Sequence, residues 1–428
     1  MNNTLFIYKA LRRFAHHLPM LVIALALFSS CGADRNFKKG EKYLALGEYF
    51  DAATEFKQAY TKTPAKERER RGQIALKMAA SYDKSLQTAK AVAAYRNAVR
   101  YKQASSSDYL ALGRLLLKTG SYKEAAQIFE MVLDSMPDNA LARNGLEAAR
   151  KAPGFKDAGS RYTVKRMDIF NSRRADYSPM LLGDESELLY FTSTRNDAQG
   201  DELSGITGAK PGDIFFSEKD DKGKWSKPEV VQGGVNTDYD EGACAFSPDG
   251  RTMYLTQCST DPSYPRYAKI MTSNRSDASW GKATELKLSN DTLSSFAHPA
   301  VSPDGEWLYF TSDMPGGKGG LDIWRVRITS AGLGGVENLG EPVNTPGDEA
   351  FPTFRPNGDF YFSSNGHPGL GGYDIFIARV DKDHRYHLEH PGYPLNSQAD
   401  DFGMTFEGPY NRGYFCSNRN DGRGCDHI

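Results

Sequence analysis

The spacing of apolar residues changes character once along the chain. Over residues 36–150 apolar positions fall at helical intervals, and strand patterns bounded by Gly or Pro are absent. From about residue 160 onward, short runs alternate apolar and polar positions between turn-forming residues. One such run recurs, as LLYFTS at 188–193, TMYLTQ at 252–257, WLYFTS at 307–312, DFYFSS at 359–364 and RGYFCS at 412–417. Its tyrosines, Tyr190, Tyr254, Tyr309, Tyr361 and Tyr414, lie 64, 55, 52 and 53 residues apart by subtraction. A near-constant period means that one supersecondary unit is repeated.

Each unit follows the same order of parts. An apolar run (244–246, 299–301, 352–354) enters a tight turn, S-P-D-G ending in Asp249-Gly250 and Asp304-Gly305, or R-P-N-G ending in Asn357-Gly358. Pro presets the first turn position, and Asp or Asn before Gly supplies the positive φ of a hairpin. The aromatic strand follows, then a Gly-rich turn. A third strand opens at D-I-F or D-I-W, from Asp213, Asp322 and Asp374. A fourth ends at an Asn-Thr or Asn-Ser turn, at Asn236, Asn344 and Asn396. Four antiparallel strands per unit, repeated around an axis, make a β-propeller. The expected fold is therefore α then β, helical repeats followed by a propeller over 161–428. The longer passage at 195–212 in the first unit is expected to protrude.

The two ends of the repeat region complement one another. Residues 162–172, YTVKRMDIFNS, read like HLEHPGYPLNS at 387–397, the fourth strand and exit turn of a unit. The fifth unit runs through Tyr414 to Cys425-Asp426-His427-Ile428 and stops as its third strand begins, which reads as a truncation. Tyr162–Phe170 is expected to complete the fifth blade as its outer strand and close a five-bladed ring, removing an exposed edge. Six blades follow if the natural chain continues.

Within 31–150, Gly40, Tyr43, Gly47, Tyr49, Ala52, Phe56, Ala59 and Pro64 sit at the offsets of a tetratricopeptide repeat. The pattern returns around Ala79, Tyr82, Ala91, Tyr95 and Ala98, and again around Gly113, Gly120, Tyr122, Ala125, Phe129 and Pro137. The central alanines Ala52, Ala91 and Ala125 lie 39 and 34 residues apart, against a period of about 34 for this repeat. Three repeats and an end helix at 139–151 are expected, with 151–160 as the linker. Stacked repeats present a concave groove suited to a protein partner; a rigid spacer is the alternative.

A chain of 428 residues suits two or three domains. Its formal charge of −1 gives no footing for a nucleic-acid binder working by phosphate neutralisation. Residues 1–30 carry a basic opening (Lys9, Arg12, Arg13), then an apolar run at 18–28. That run is too short to span a bilayer and has the proportions of a signal peptide. Small residues then precede Cys31, so the segment resembles a bacterial lipoprotein signal. The resemblance implies that Cys31 is the acylated first residue of the mature chain. Several acyl chains on one cysteine anchor stably. Residues 32–39 are not acid-rich, which favours a periplasm-facing protein.

Candidate chemistry is sparse. Asp213, Asp322 and Asp374, matched by Asp426, occur once per unit, around a ring instead of converging; they read as caps of the preceding turn. The pairs Asp240-Glu241 and Asp348-Glu349 read as a solvated rim. His384, His387 and His390 lie three apart on an expected strand, so His387 faces away from the other two and no facial metal site forms. Cys416 and Cys425 share the last unit and are candidates for a disulfide, against free thiols as the default for both and for Cys244 and Cys258. No G-x-S-x-G, P-loop, H-E-x-x-H or zinc-spaced cysteine set occurs. No catalytic residue, cofactor or metal is expected.

The blade signature resembles the TolB-like, WD40-like (PD40) propeller repeat over 160–428. The order of lipoprotein cysteine, tetratricopeptide repeats and propeller resembles the OmpA-family lipoproteins of Bacteroidota, among them those of the type IX secretion apparatus. That resemblance implies a lipid-anchored scaffold at the periplasmic face of the outer membrane. Its protein partners would meet the helical groove and the propeller face. Peptidoglycan would be gripped only through an OmpA-like domain, which these residues lack. A propeller mouth that binds a glycan or peptide is the alternative, and a hydrolase on the upper loops is a third.

Overall fold

The computed structural model describes residues 32–428 apart from 159–160, 184–185, 201, 260–266, 277–278, 384, 409 and 420–424. Among the described residues seven helices come first: α1 (32–45), α2 (Tyr49–Lys62), α3 (Arg68–Lys84), α4 (Thr88–Arg100), α5 (Ser106–Lys118), α6 (Tyr122–Ser135) and α7 (Ala140–Asp157). They form three antiparallel pairs and an end helix around a core of alanines, leucines, Phe56 and Phe129. Small residues set how close the helices come. A Cβ on Gly113 would stand 2.7 Å from the Phe129 ring, and one on Gly40 would stand 2.8 Å from the Phe56 ring. The ring therefore fills the space that a side chain would take. Ser105 starts α5 with a reciprocal capping box to Asp108. The expected linker at 151–160 is largely helix: α7 continues through Pro153 to Asp157. The far end of α7 finds a packing partner, with Phe155 against His390.

The β region contains four complete blades: β1 (Asp176–Leu182), β2 (Leu188–Ser193), β3 (Asp213–Glu218) and β4 (Glu229–Val230); β5 (Asp240–Phe246), β6 (Thr252–Ser259), β7 (Tyr267–Ser276), β8 (Ser279–Trp280) and β9 (Thr284–Glu285); β10 (Phe296–Val301), β11 (Trp307–Ser312), β12 (Asp322–Thr329) and β13 (Gly332–Asn338); β14 (Glu349–Phe354), β15 (Phe360–Ser364), β16 (Asp374–Val380) and β17 (Tyr386–Glu389). Among the described residues the fifth unit contributes β18 (Asp401–Phe406) and β19 (Gly413–Ser417) as a two-stranded sheet. The first strands touch in succession, β1 on β5, β5 on β10, β10 on β14 and β14 on β18, and β18 returns to β1.

The complete fifth blade expected from the sequence is thus not formed. Residues 162–167 lie outside every sheet, and 168–170 form a turn. Among the described residues Tyr162–Phe170 joins no ladder, and its one backbone bond to the neighbouring position is from the Met167 N–H to the Ile428 carbonyl. Closure is made instead by a side-chain clasp. Asn236, Asn344 and Asn396 each accept from and donate to the backbone of one third-strand residue, Ile214, Ile323 and Ile375. Asn171 does the same to Ile428, accepting its N–H at 2.8 Å and donating to its carbonyl at 2.7 Å. Phe170 sits beside the clasp, fully buried among Phe191, Trp225 and Tyr414.

The clasp also corrects one alignment. Ser193, Ser312 and Ser364 stand opposite Asp213, Asp322 and Asp374, but Ser417 stands opposite His427. His427, not Asp426, holds the equivalent position. A second device links neighbouring blades. The Trp280 indole N–H donates to Tyr190 Oη at 3.3 Å, and that of Trp225 to Tyr414 Oη at 3.0 Å. Each joins an outer hairpin to the aromatic strand of the preceding unit, so the ring is tied by polar as well as apolar contacts.

Candidate functional site: the seam between helices and propeller

The turn residues singled out in the sequence are local and dispersed. Asp249 Oδ1 accepts from Ser247 Oγ at 2.5 Å and from the Arg251 N–H at 3.1 Å; Gly250 has φ 67°. Asp304 is held likewise by Ser302 Oγ at 2.5 Å and the Glu306 N–H at 3.0 Å, before Gly305. Asn357 accepts the Asp359 N–H at 3.1 Å beside Gly358. Asp213 accepts from the Gln199 N–H, Asp322 from Lys318 and Gly319, and Asp374 from Leu370 and Gly371. These contacts hold each residue's own turn, and among the described residues no cluster with metal-ligating geometry forms.

Of the remaining candidates, the glutamates of the acidic pairs stand elsewhere than expected. Glu241 and Glu349 are not a solvated rim: both are fully buried and clamp the exit turns through Thr237 and Thr345. Burial pushes each carboxyl up to about 7, against the pull of these hydrogen bonds. Cys416 and Cys425 form no disulfide, and the buried Cys416 Sγ accepts the Ser178 N–H at 3.1 Å. His387 is exposed and bonds Asp381, whereas His390 turns inward to Asp374 at 3.3 Å. His384 and Cys31 lie outside the described residues.

The centre of the ring is plugged. Ser178, Ala243, His298, Phe351 and Gly403 take corresponding places in the five first strands and surround a cavity of about 20 Å³. His298 stacks on Phe351 at 3.8 Å, and Phe351 lies 4.5 Å from Phe402. Burial drives His298 down to about 3, so the imidazole is neutral. The described lining includes no carboxylate.

What the fold does assemble is a seam. The loops after each second and fourth strand gather on one side of the propeller, and the helices pack there. Lys118, the last residue of α5, forms a 2.5 Å ion pair with Asp400, both side chains largely buried. Asp400 is fixed from behind by the Tyr373 N–H at 3.1 Å and Asn418 Nδ2 at 2.9 Å. Burial opposes both charges, yet mutual attraction outweighs it: the Lys118 pKa is raised and that of Asp400 lowered. Burial pushes the nearby Asp83 carboxyl up, offset in part by Lys118 and Arg114. Around this pair, Tyr122 Oη donates to the Leu370 carbonyl at 2.8 Å and Asn144 Nδ2 to that of Gly366 at 2.8 Å. Phe155 of α7 stacks near His390, ring centroids 4.6 Å apart. The long first-unit loop reaches α2, where the Phe50 N–H donates to the Gly205 carbonyl at 2.9 Å.

Asp400 was legible in principle. Asp400-Asp401 is a third copy of Asp240-Glu241 and Asp348-Glu349, with a shorter clamp residue. Lys118 carried no signal, since a lysine at a helix end reads as an ordinary C-terminal cation.

No family model matches the chain, and no curated protein matches it. Among solved structures, the helical part is similar to the C-terminal TPR-containing domain of a Plasmodium falciparum FK506-binding protein, with 18% identity over 30% of this chain and 92% of that one and a TM-score of 0.27. The β part is similar to an endo-arabinase from Bacteroides thetaiotaomicron, with 14% identity over 60% of this chain and 93% of that one and a TM-score of 0.36. An α-L-arabinofuranosidase from Lactobacillus brevis matches at 13% identity over 51% of this chain and 78% of that one, with a TM-score of 0.33. Such distant likeness fits helical repeats joined to a propeller-like domain and carries nothing about activity.

Proposed function

We propose that this protein is an outer-membrane lipoprotein, anchored through acylated Cys31 and facing the periplasm. It works without catalysis, as a scaffold or tether in a cell-envelope complex. The observation that carries the reading is the seam, where the buried Lys118–Asp400 pair joins helices and propeller. Two joined parts with different surfaces suit a protein that brings partners together. The plugged ring centre supports use of outer faces over a central mouth that binds a glycan or peptide. Among the described residues, the lining of that centre holds no carboxylate.

The order of parts resembles OmpA-family lipoproteins, and we read the partners as components of a type IX secretion apparatus. Peptidoglycan contact would require an OmpA-like domain beyond these residues. The ring is read as five-bladed with an incomplete fifth blade. Cys31→Ala tests the anchor: in fractionated envelopes the native chain is expected in the outer membrane and the variant in the soluble periplasm. An unchanged distribution would contradict the reading.

A further inference from the structure

The helical part has two unlike ends. Phe50 at the start of α2, Lys118 at the end of α5 and Tyr122 at the start of α6 all meet the propeller. The opposite end gathers the start of α1, the end of α2, the start of α3 and the end of α4. Three contacts tie these together. A Cβ on Gly32 would stand 3.6 Å from Lys62 Cδ, Arg70 pairs with Asp34, and Tyr60 Oη lies 3.4 Å from Tyr101 Oη. At 1.5 Å per residue, the 14 residues of α2 hold the two ends about 20 Å apart.

This far end is basic. Arg35, Lys62, Lys66, Arg68, Arg100 and Lys102 are all exposed there. Among the described residues of these four helix ends the carboxylates are Glu67, Glu69 and Asp34, the last already paired with Arg70. Asp108, Asp134 and Asp138 belong to the next helices along the stack. Arg35 and Lys66 have no side-chain partner among the described residues. Arg68 and Arg100 lie over the Tyr101 ring at 5.6 and 5.5 Å, which holds their guanidinium groups in place. Lys66, Arg68 and Arg70 open with Phe37 onto a recess of about 600 Å³, room for a lipid headgroup beside Glu67 and Glu69.

We propose that this end lies on an anionic phospholipid surface, the leaflet that holds the acyl chains of Cys31. The inference rests on the anchor reading, in which the mature chain starts at Cys31, next to Gly32. Consecutive Cα atoms are about 3.8 Å apart. The acyl chains therefore bring Lys62 and its neighbours within a Debye length of the headgroups, about 8 Å at physiological salt. Anchor and patch together set one orientation, with the propeller held off the membrane by the length of the helices. The patch orients and does not anchor, so the unacylated chain leaves the membrane at physiological salt.

The test mixes the mature chain, residues 31–428 with Cys31→Ala, with vesicles of phosphatidylethanolamine and phosphatidylglycerol and reads cosedimentation. Binding is expected at low salt and declines as salt is raised. Replacing phosphatidylglycerol by phosphatidylcholine is expected to weaken it at least tenfold. So is the combination Arg35→Glu, Lys62→Glu, Lys66→Glu and Arg68→Glu. Arg35→Glu with Lys66→Glu alone, which breaks no contact within the fold, is expected to weaken it at least threefold. The same four charge reversals on the propeller, at Lys224, Lys227, Lys282 and Lys287, are expected to leave binding unchanged. No cosedimentation at low salt, or equal loss from the helical and propeller reversals, would overturn the proposal. Displacement by free glycerol phosphate at matched phosphate would indicate a pocket for a soluble phosphate and would also overturn it. The fractionation of Cys31→Ala reads the anchor separately, so failure of the patch and failure of the anchor are distinguishable.

Discussion

Lys118→Ala is expected to destabilise the protein by about 3–5 kcal/mol, because it leaves the Asp400 carboxylate buried without its countercharge. The loss should appear as a new early phase in urea unfolding, with amides of α5 and α7 exchanging faster while the propeller stays protected. Adding Asp400→Asn to Lys118→Ala should restore part of the stability, since the uncompensated charge is then gone. A loss below about 1 kcal/mol would place the pair among ordinary surface bridges and remove the rigid seam. The pH window follows from the two shifts. Asp400 is held below 3.8, so its contribution is complete above that value and lost only as pH falls through the lower folded pKa. Lys118 is raised above 10.5, so its contribution is complete below that value and lost as pH rises through the higher folded pKa. The seam should therefore be insensitive to pH through the neutral range.

Phe170→Ala is expected to cost about 3–5 kcal/mol, the range for deleting a fully buried aromatic ring from a packed core. Phe170 is a joint between the chain's two distant ends, with Trp225 at 5.3 Å and Tyr414 at 5.7 Å. Its loss should also loosen the adjacent Asn171–Ile428 clasp and expose the indole of Trp225. Urea denaturation followed by tryptophan fluorescence reads both effects. A variant as stable as the parent, with an unshifted emission maximum, would mean that the clasp does not close the ring.

The sequence made the repeat readable because each blade uses the same few turn residues. Asp249-Gly250 and Asp304-Gly305 fix hairpins locally, so no tertiary information is needed to see them. Phe170-Asn171-Ser172 was readable for the same reason, as a copy of Leu395-Asn396-Ser397. What failed were inferences about pairing across space. Tyr162–Phe170 has the residues of an outer strand, but a strand needs a neighbour. Glu241 and Glu349 look like surface acids in sequence, and only the fold reveals that turn hydroxyls and amides enclose them. The seam was the least legible part, since Lys118 and Asp400 meet across 282 positions of sequence by subtraction. Residues 151–157 continue as helix because Phe155 finds His390, a contact no local pattern announces.

The most direct test of the scaffold account is affinity purification from solubilised envelopes, comparing the native chain with Cys31→Ala. The account predicts that the anchored chain brings down a reproducible set of envelope proteins and that the unanchored chain loses them. Purification of the chain alone from both backgrounds would contradict it.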